Sequence, residues 1–263
     1  EGVLNMNNLK KIGLTALAGS LVAGAVNAAE MSVSGSAGIT LSGGDENATT
    51  GNGFTMGDSL TFSASGDVND IGVTLSYELD GDAPESVAGT GQIFDDHSIA
   101  FDLGDLGSLT FAGHGGSSAL SARDDVMPAA YEEPWAVVTG ASAAVVNGDA
   151  EENMFSYSYA HDSGVSVALA YHNAEAGQSV ESYMDYAVEY NGVEGLRIGY
   201  AEGTVHDTAA EADENTVFAT YAIGGFTIGF QASESDEENG TANDRETTGF
   251  GISYQVSDDL SVS

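Results

Sequence analysis

From about residue 58 onward the chain alternates apolar and small polar residues in short runs separated by turns. In Ile71-Gly72-Val73-Thr74-Leu75-Ser76-Tyr77-Glu78-Leu79 every odd position is apolar or aromatic, and every even one is Gly, Thr, Ser or Glu. A strand points successive side chains to opposite faces, so this run has one apolar face and one wet face. The same alternation predicts strands at 31–41, 60–64, 71–79, 99–103, 109–111, 155–159, 165–171, 184–190, 196–200, 217–223, 226–230 and 250–256, with a last one starting near Leu260. Gly/Asn/Asp-rich turns join them in pairs at 66–70, 104–107, 161–164, 191–195, 224–225 and 257–259.

Between these hairpins lie longer connections at about 42–57, 81–96, 113–151, 173–182, 203–214 and 232–246. A strict alternation of short turns and long loops is the pattern of an antiparallel transmembrane β-barrel. A sandwich would break it with Greek-key crossings. Tyr77, Tyr159, Tyr171, Tyr190, Tyr200 and Tyr254 stand near the ends of runs, where an interfacial girdle would place them. The fold class read here is all-β, a barrel whose apolar faces meet lipid and whose wet faces line a lumen.

The N-terminus agrees with export. Lys10-Lys11 precedes an uncharged stretch from Ile12 to Val26, and Val26-Asn27-Ala28 supplies small residues for cleavage. Residues 1–28 read as a signal peptide cut after Ala28, with Met6 as its start and residues 1–5 as upstream translation. Residues 29–263 then form the barrel domain.

The chain has 263 residues, no Cys and a formal charge of -36. Disulfides and thiolate metal sites are excluded. Two of the five basic residues and one of the 41 acidic ones lie within residues 1–28, leaving Arg123, Arg197 and Arg245 against 40 carboxylates. So acidic a chain does not bind nucleic acid, which needs Lys and Arg to neutralise phosphates. A saline habitat would favour the same acidity.

Three segments carry a family resemblance. They are Phe101-Asp102-Leu103-Gly104-Asp105-Leu106-Gly107-Ser108-Leu109-Thr110-Phe111-Ala112-Gly113, then Asn153-Met154-Phe155-Ser156-Tyr157, then the hairpin from Val188 to Tyr200. Their order, with one oversized third loop between the first two, resembles the general porins of Gram-negative bacteria, in particular the alphaproteobacterial type. The resemblance implies a 16-stranded barrel, a homotrimer in outer-membrane lipid with lipopolysaccharide and the outer-membrane assembly machinery as partners, and a third loop folded into the pore. About 13 strand starts are present, and the chain stops in mid-strand, so the barrel domain reads as incomplete at its C-terminus. A bacterial barrel closes with an even number, which leaves about three strands to be supplied. The chain also departs from the family in lacking a row of basic residues on the pore wall.

On this reading the third loop sets the pore. Arg123, Asp124, Asp125, Glu132 and Glu133 are the constriction candidates, since rings of carboxylates favour cations. Alternation places Glu78, Asp102, Asp185, Glu189 and Arg197 toward the lumen, and Arg245 at its outer mouth. Arg197 is a candidate for pairing with a neighbouring carboxylate. The acidic stretches Glu211, Asp213, Glu214 and Glu234, Asp236, Glu237, Glu238 read as outer loops that either bridge lipopolysaccharide through divalent cations or simply face solvent.

No cofactor, no catalytic residue and no metal-ligand spacing is read from the sequence. The five histidines are scattered, and Asp95-Asp96-His97 is the one local acid–base cluster. The expected function is a diffusion porin for small hydrophilic solutes and ions, preferring cations. A substrate-specific channel, an outer-membrane hydrolase and a soluble acidic surface protein are the alternatives. A sugar channel would need lumenal aromatics, and here the aromatics fall on the apolar register.

Overall fold

The computed structural model describes residues 30–41, 54–80, 96–128, 146, 152–173, 180–207, 211–237, 244–257 and 260–263. The signal segment, Ala28, Glu132, Glu133 and Glu238 lie outside them. Among the described residues, thirteen antiparallel strands form one sheet in which each strand pairs with the next in sequence. They are β1 (Glu30–Leu41), β2 (Phe54–Val68), β3 (Ile71–Asp80), β4 (Asp96–Asp102), β5 (Ser108–His114), β6 (Met154–Ala160), β7 (Val165–His172), β8 (Val180–Tyr190), β9 (Leu196–Asp207), β10 (Glu211–Ile223), β11 (Phe226–Glu237), β12 (Arg245–Ser257) and β13 (Leu260–Val262). An uninterrupted meander without crossovers is the wall of an up-and-down barrel.

The turns follow from local chemistry. Between β2 and β3 only Asn69 and Asp70 are unpaired, and both adopt positive φ, at 52° and 65°. Two such residues make the hairpin turn whose twist matches the strands, and Asn and Asp tolerate that conformation best after glycine.

The register separates the two faces cleanly. Leu75, Tyr171, Tyr186, Val188, Ile198, Tyr200, Phe226, Ile228, Phe250, Ile252 and Tyr254 stand exposed on the apolar face. Apolar rings pair across strands there, as Phe111 with Phe155 at 4.8 Å and Phe226 with Tyr254 at 4.4 Å. So much exposed apolar surface on one face is stable only against lipid or a partner. Midway along β8 and β9, the Tyr186 and Tyr200 hydroxyls donate to one carboxylate, Glu202, at 2.7 and 2.9 Å. That gives these amphipathic rings a polar anchor.

Two expectations change. The strands run well past their hydrophobic stretches: β9 reaches Asp207, β10 starts at Glu211, β11 reaches Glu237 and β12 starts at Arg245. Glu211, Asp213, Glu214, Glu234, Asp236 and Glu237 therefore sit on paired strands and not in loops. Above a membrane the outward face of a strand no longer meets lipid, so apolar alternation fades while backbone pairing continues. The acid–base pair Asp96-His97 also dissolves. His97 stacks on Tyr77 with ring centroids 6.0 Å apart on the apolar face, while Asp96 pairs in register with Glu78 on the other.

Candidate functional site

After β5 the chain does not leave the wall. Residues 115–128 turn back across the wet face of β8 to β12, a distance of about 19 Å for four strand spacings. The segment begins with a short 3-10 turn, Ser121–Arg123. Two serines cap it reciprocally: Ser118 N donates to Ser121 Oγ at 2.7 Å, and Ser121 N donates to Ser118 Oγ at 3.0 Å. Each hydroxyl satisfies a backbone N–H that the short turn leaves over.

Alternation on β8 places Tyr183, Asp185, Ala187 and Glu189 on the wet face, and the two carboxylates clamp this turn at both ends. Asp185 is 1% exposed. It accepts from Ala119 N at 3.1 Å, Leu120 N at 2.6 Å and Tyr183 OH at 2.9 Å. Three donors and the developing positive end of the turn offset the cost of burying this charge. Four residues further along β8, Glu189 accepts from Arg123 Nε and Arg197 Nε at 2.6 and 2.7 Å. Arg123 Nη1 also donates back to Ala119 O at 2.7 Å. Arg197 lies over the Phe218 ring, 4.9 Å from its centroid. Between the clamps, Leu120 is fully buried against Val146, Ala187 and Ala201. Burial of that side chain contributes about 1.5–3 kcal/mol.

The far end of the segment rests on β11 and β12. Gln231 Oε1 accepts from Val126 N at 3.0 Å. Its Nε2 donates to Arg123 O at 2.8 Å, Asp124 O at 3.0 Å and Thr216 Oγ1 at 3.0 Å. Val126 N can only donate, which fixes the amide's orientation. Beyond it Met127 and Pro128 occupy a bare patch. A Cβ on Gly229 would lie 2.5 Å from Pro128 Cδ, and one on Gly251 would lie 2.9 Å from Met127 Cε. Only glycine leaves the loop room to settle there.

The other candidates distribute as follows. Asp124 and Asp125 turn onto their own segment, accepting from Asp125 N at 2.7 Å and Met127 N at 2.9 Å. Asp102 accepts from Gly104 N at 2.9 Å and so shapes its own hairpin. Glu78 shares the wet face of β3 with Ser76 and Thr74, far along the sheet from the clamp. Arg245 is exposed at the start of β12, in register with Ser235. On the upper strands Asp213 faces Asp236, and Glu234 faces Glu246. Partial desolvation and the neighbouring Glu234, Asp244 and Asp213 charges raise the Asp236 carboxyl above its ordinary range, although water screens so exposed a group. Among the described residues no three His, Asp or Glu side chains are grouped to hold a metal ion.

Pattern reading passed over Leu120, Tyr183, Phe218 and Gln231. Tyr183 and Phe218 are aromatics on the wet register, 0% and 1% exposed. They correct the expectation that aromatics keep to the apolar face, and they mark where something covers that face. A large side chain among Ala, Gly and Ser in a wet register was the available signal.

A family profile for Gram-negative porins matches residues 13–263. Among solved structures, the chain is similar to an anion-selective porin from Comamonas acidovorans, at 17% identity over 86% of this chain and 75% of that one, with a TM-score of 0.53. It is similar to Salmonella typhi OmpF in complex with daunomycin, at 14% identity over 88% and 75%, TM-score 0.60. Vibrio cholerae OmpT, an outer membrane protein, matches at 16% identity over 87% and 72%, TM-score 0.58. No curated protein sequence matches this chain at a significant level.

Proposed function

Because the chain belongs to the Gram-negative porin family, outer-membrane diffusion channels and not enzymes, we propose that it passes small hydrophilic solutes and prefers cations, with its third loop, about 113–151, narrowing the pore. The observation that carries this reading is the docking of residues 118–128 on the wet face. A segment held across the inside of a wall takes up cross-section, and its anchors make it a fixed part of the lumen.

The sign of the selectivity rests on charge accounting. Of the three arginines beyond residue 28, Arg123 and Arg197 are both spent on Glu189. With Asp185 beside them, these four groups sum to zero. Arg245 remains at the outer mouth, outnumbered by carboxylates such as Glu78 and Asp102, and that balance favours cations. The fold does not dictate this, since the Comamonas relative is anion-selective.

The same reading carries three assembly proposals. Residues 1–28 are removed after Ala28 on export. The barrel assembles as a homotrimer through the outer-membrane machinery. Carboxylates at the upper ends of β10 to β12 meet lipopolysaccharide, with divalent cations between them.

The test is the full-length protein in a planar bilayer under a salt gradient. Stepwise conductance with a zero-current potential of cation sign is the expected result. Steps with anion sign would discard the charge argument, and a folded, inserted protein without conductance would discard the channel.

A further inference from the structure

We propose that Gln231 is the positioning residue of the pore: it fixes where residues 123–128 stand against the wall, and so sets the steadiness and size of the open channel. This rests on the preceding reading that the segment narrows the lumen.

The argument starts from the backbone. In a paired wall every strand N–H and C=O is directed to a neighbouring strand, and Gln231 itself lies in register between Phe218 and Gly249. The wall therefore has no main-chain group to offer a loop laid across it. The loop's own N–H and C=O groups still need partners once water is excluded. A glutamine side chain ends in the same two functions as a peptide bond. Gln231 uses them that way, accepting from Val126 and donating to the carbonyls of Arg123 and Asp124. It is 4% exposed, and Thr216 braces it from β10.

On one side Gln231 is flanked by bare backbone. Along the wet register toward the hairpin turn, the next positions are Gly229, Gly249 and Gly251, which have no side chains. The anchors differ in kind as well. The one on β8 is ionic, through Asp185 and Glu189, and acts on residues 119–123. The one on β11 is neutral and acts on residues 123–126, so removing it changes position without changing charge.

Q231L keeps the size and removes every hydrogen bond. In bilayers it should spend about tenfold more time in altered current levels, the scale of losing one buried partner. Its zero-current potential should stay at the wild-type value. Folding is read separately, from the heat-dependent gel migration of a closed barrel. A tether gives the rescue. The chain has no cysteine, and Pro128 packs directly on Gly229. P128C with G229C in the Q231L background should quieten the channel when oxidised and release it when reduced.

Folded Q231L with wild-type current levels and noise would overturn the assignment. If leucine prevents assembly, Q231N carries the same test, since it withdraws both functions by one methylene. Raised fluctuation supports the proposal, and wild-type traces overturn it. A folded wild-type protein that conducts nothing is seen before any variant is made, and it removes the porin reading itself.

Discussion

On β1 to β4 the wet face is a ladder of small hydroxyls: Ser36 meets Ser59 at 3.1 Å, and Ser63 meets Ser76 at 3.2 Å. Among the described residues none on these four strands is buried. On β8 to β11 the same register carries Asp185, Ala187, Ala201, Thr216, Phe218 and Gln231, all between 0% and 4% exposed. One period of two thus encodes two different surfaces. Hydroxyls that pair with each other and with water make a face that tolerates solvent. Small residues punctuated by large or charged ones make a seat for another part of the chain. The apolar face does not distinguish the two halves, because lipid asks the same of both.

The sharpest way to break the contrast is Asp185→Ala. It strips one acceptor from three donors, two of them backbone groups of the loop. The docked turn should lose about 3 kcal/mol or more. Limited proteolysis should then cut within 117–128, while the melting of the barrel stays near wild type. Filling the glycine seat comes next. Gly251→Leu drives a side chain into Met127 and Pro128, with an overpacking cost of about 1–3 kcal/mol. The loop can relieve it by lifting, so unitary conductance should change without loss of the folded form.

Glu189→Gln should be milder for docking, about 1–2 kcal/mol, because Arg197 is 41% exposed and partly screened. Its signature lies elsewhere: two guanidiniums lose their carboxylate, and the zero-current potential should move toward anions. On the bare half, Ser63→Ala should change stability by no more than about 0.5 kcal/mol and leave conductance unaltered. A large effect there would mean that the two halves are not as different as their burial implies.

The smallest effect is a pH dependence at the upper rim. A carboxyl raised by folding binds its proton more tightly in the folded state. The repulsion around Asp236 is therefore present at neutral pH and is lost as pH falls through its folded pKa. Asp236→Asn should raise the melting temperature slightly at neutral pH and not at all in acid, which a pair of melting curves would check.

Hairpin order and register were legible because the membrane imposes a period on one face. The turn between β10 and β11 needs nothing beyond Gly224-Gly225 to be seen. Strand length was not legible, since beyond the lipid the apolar signal stops and ladder pairing such as Asp213 with Asp236 leaves no hydropathy trace. The site was half legible. Asp185, Glu189 and Arg197 announce themselves as charges in a wet register. Arg197 reads as pairing with a neighbouring carboxylate, and it meets Glu189 at 2.7 Å; the pairing of Glu189 with Arg123 could not be read, because it spans 66 positions. Gln231 is invisible to any argument from charge, and its role exists only once a loop lies across it.

The upward extension of the strands bears on what an antibody or a phage tail can grip. β10 has 13 residues, about 44 Å of strand, or about 34 Å of height at a tilt near 40°. Against an apolar band of about 25 Å, some 9 Å of stiff, hydrogen-bonded collar stands clear of the bilayer. Carboxylates from three successive strands decorate it, brought side by side only by pairing. An epitope there is conformational, so sera raised against the denatured chain would miss it on the living cell.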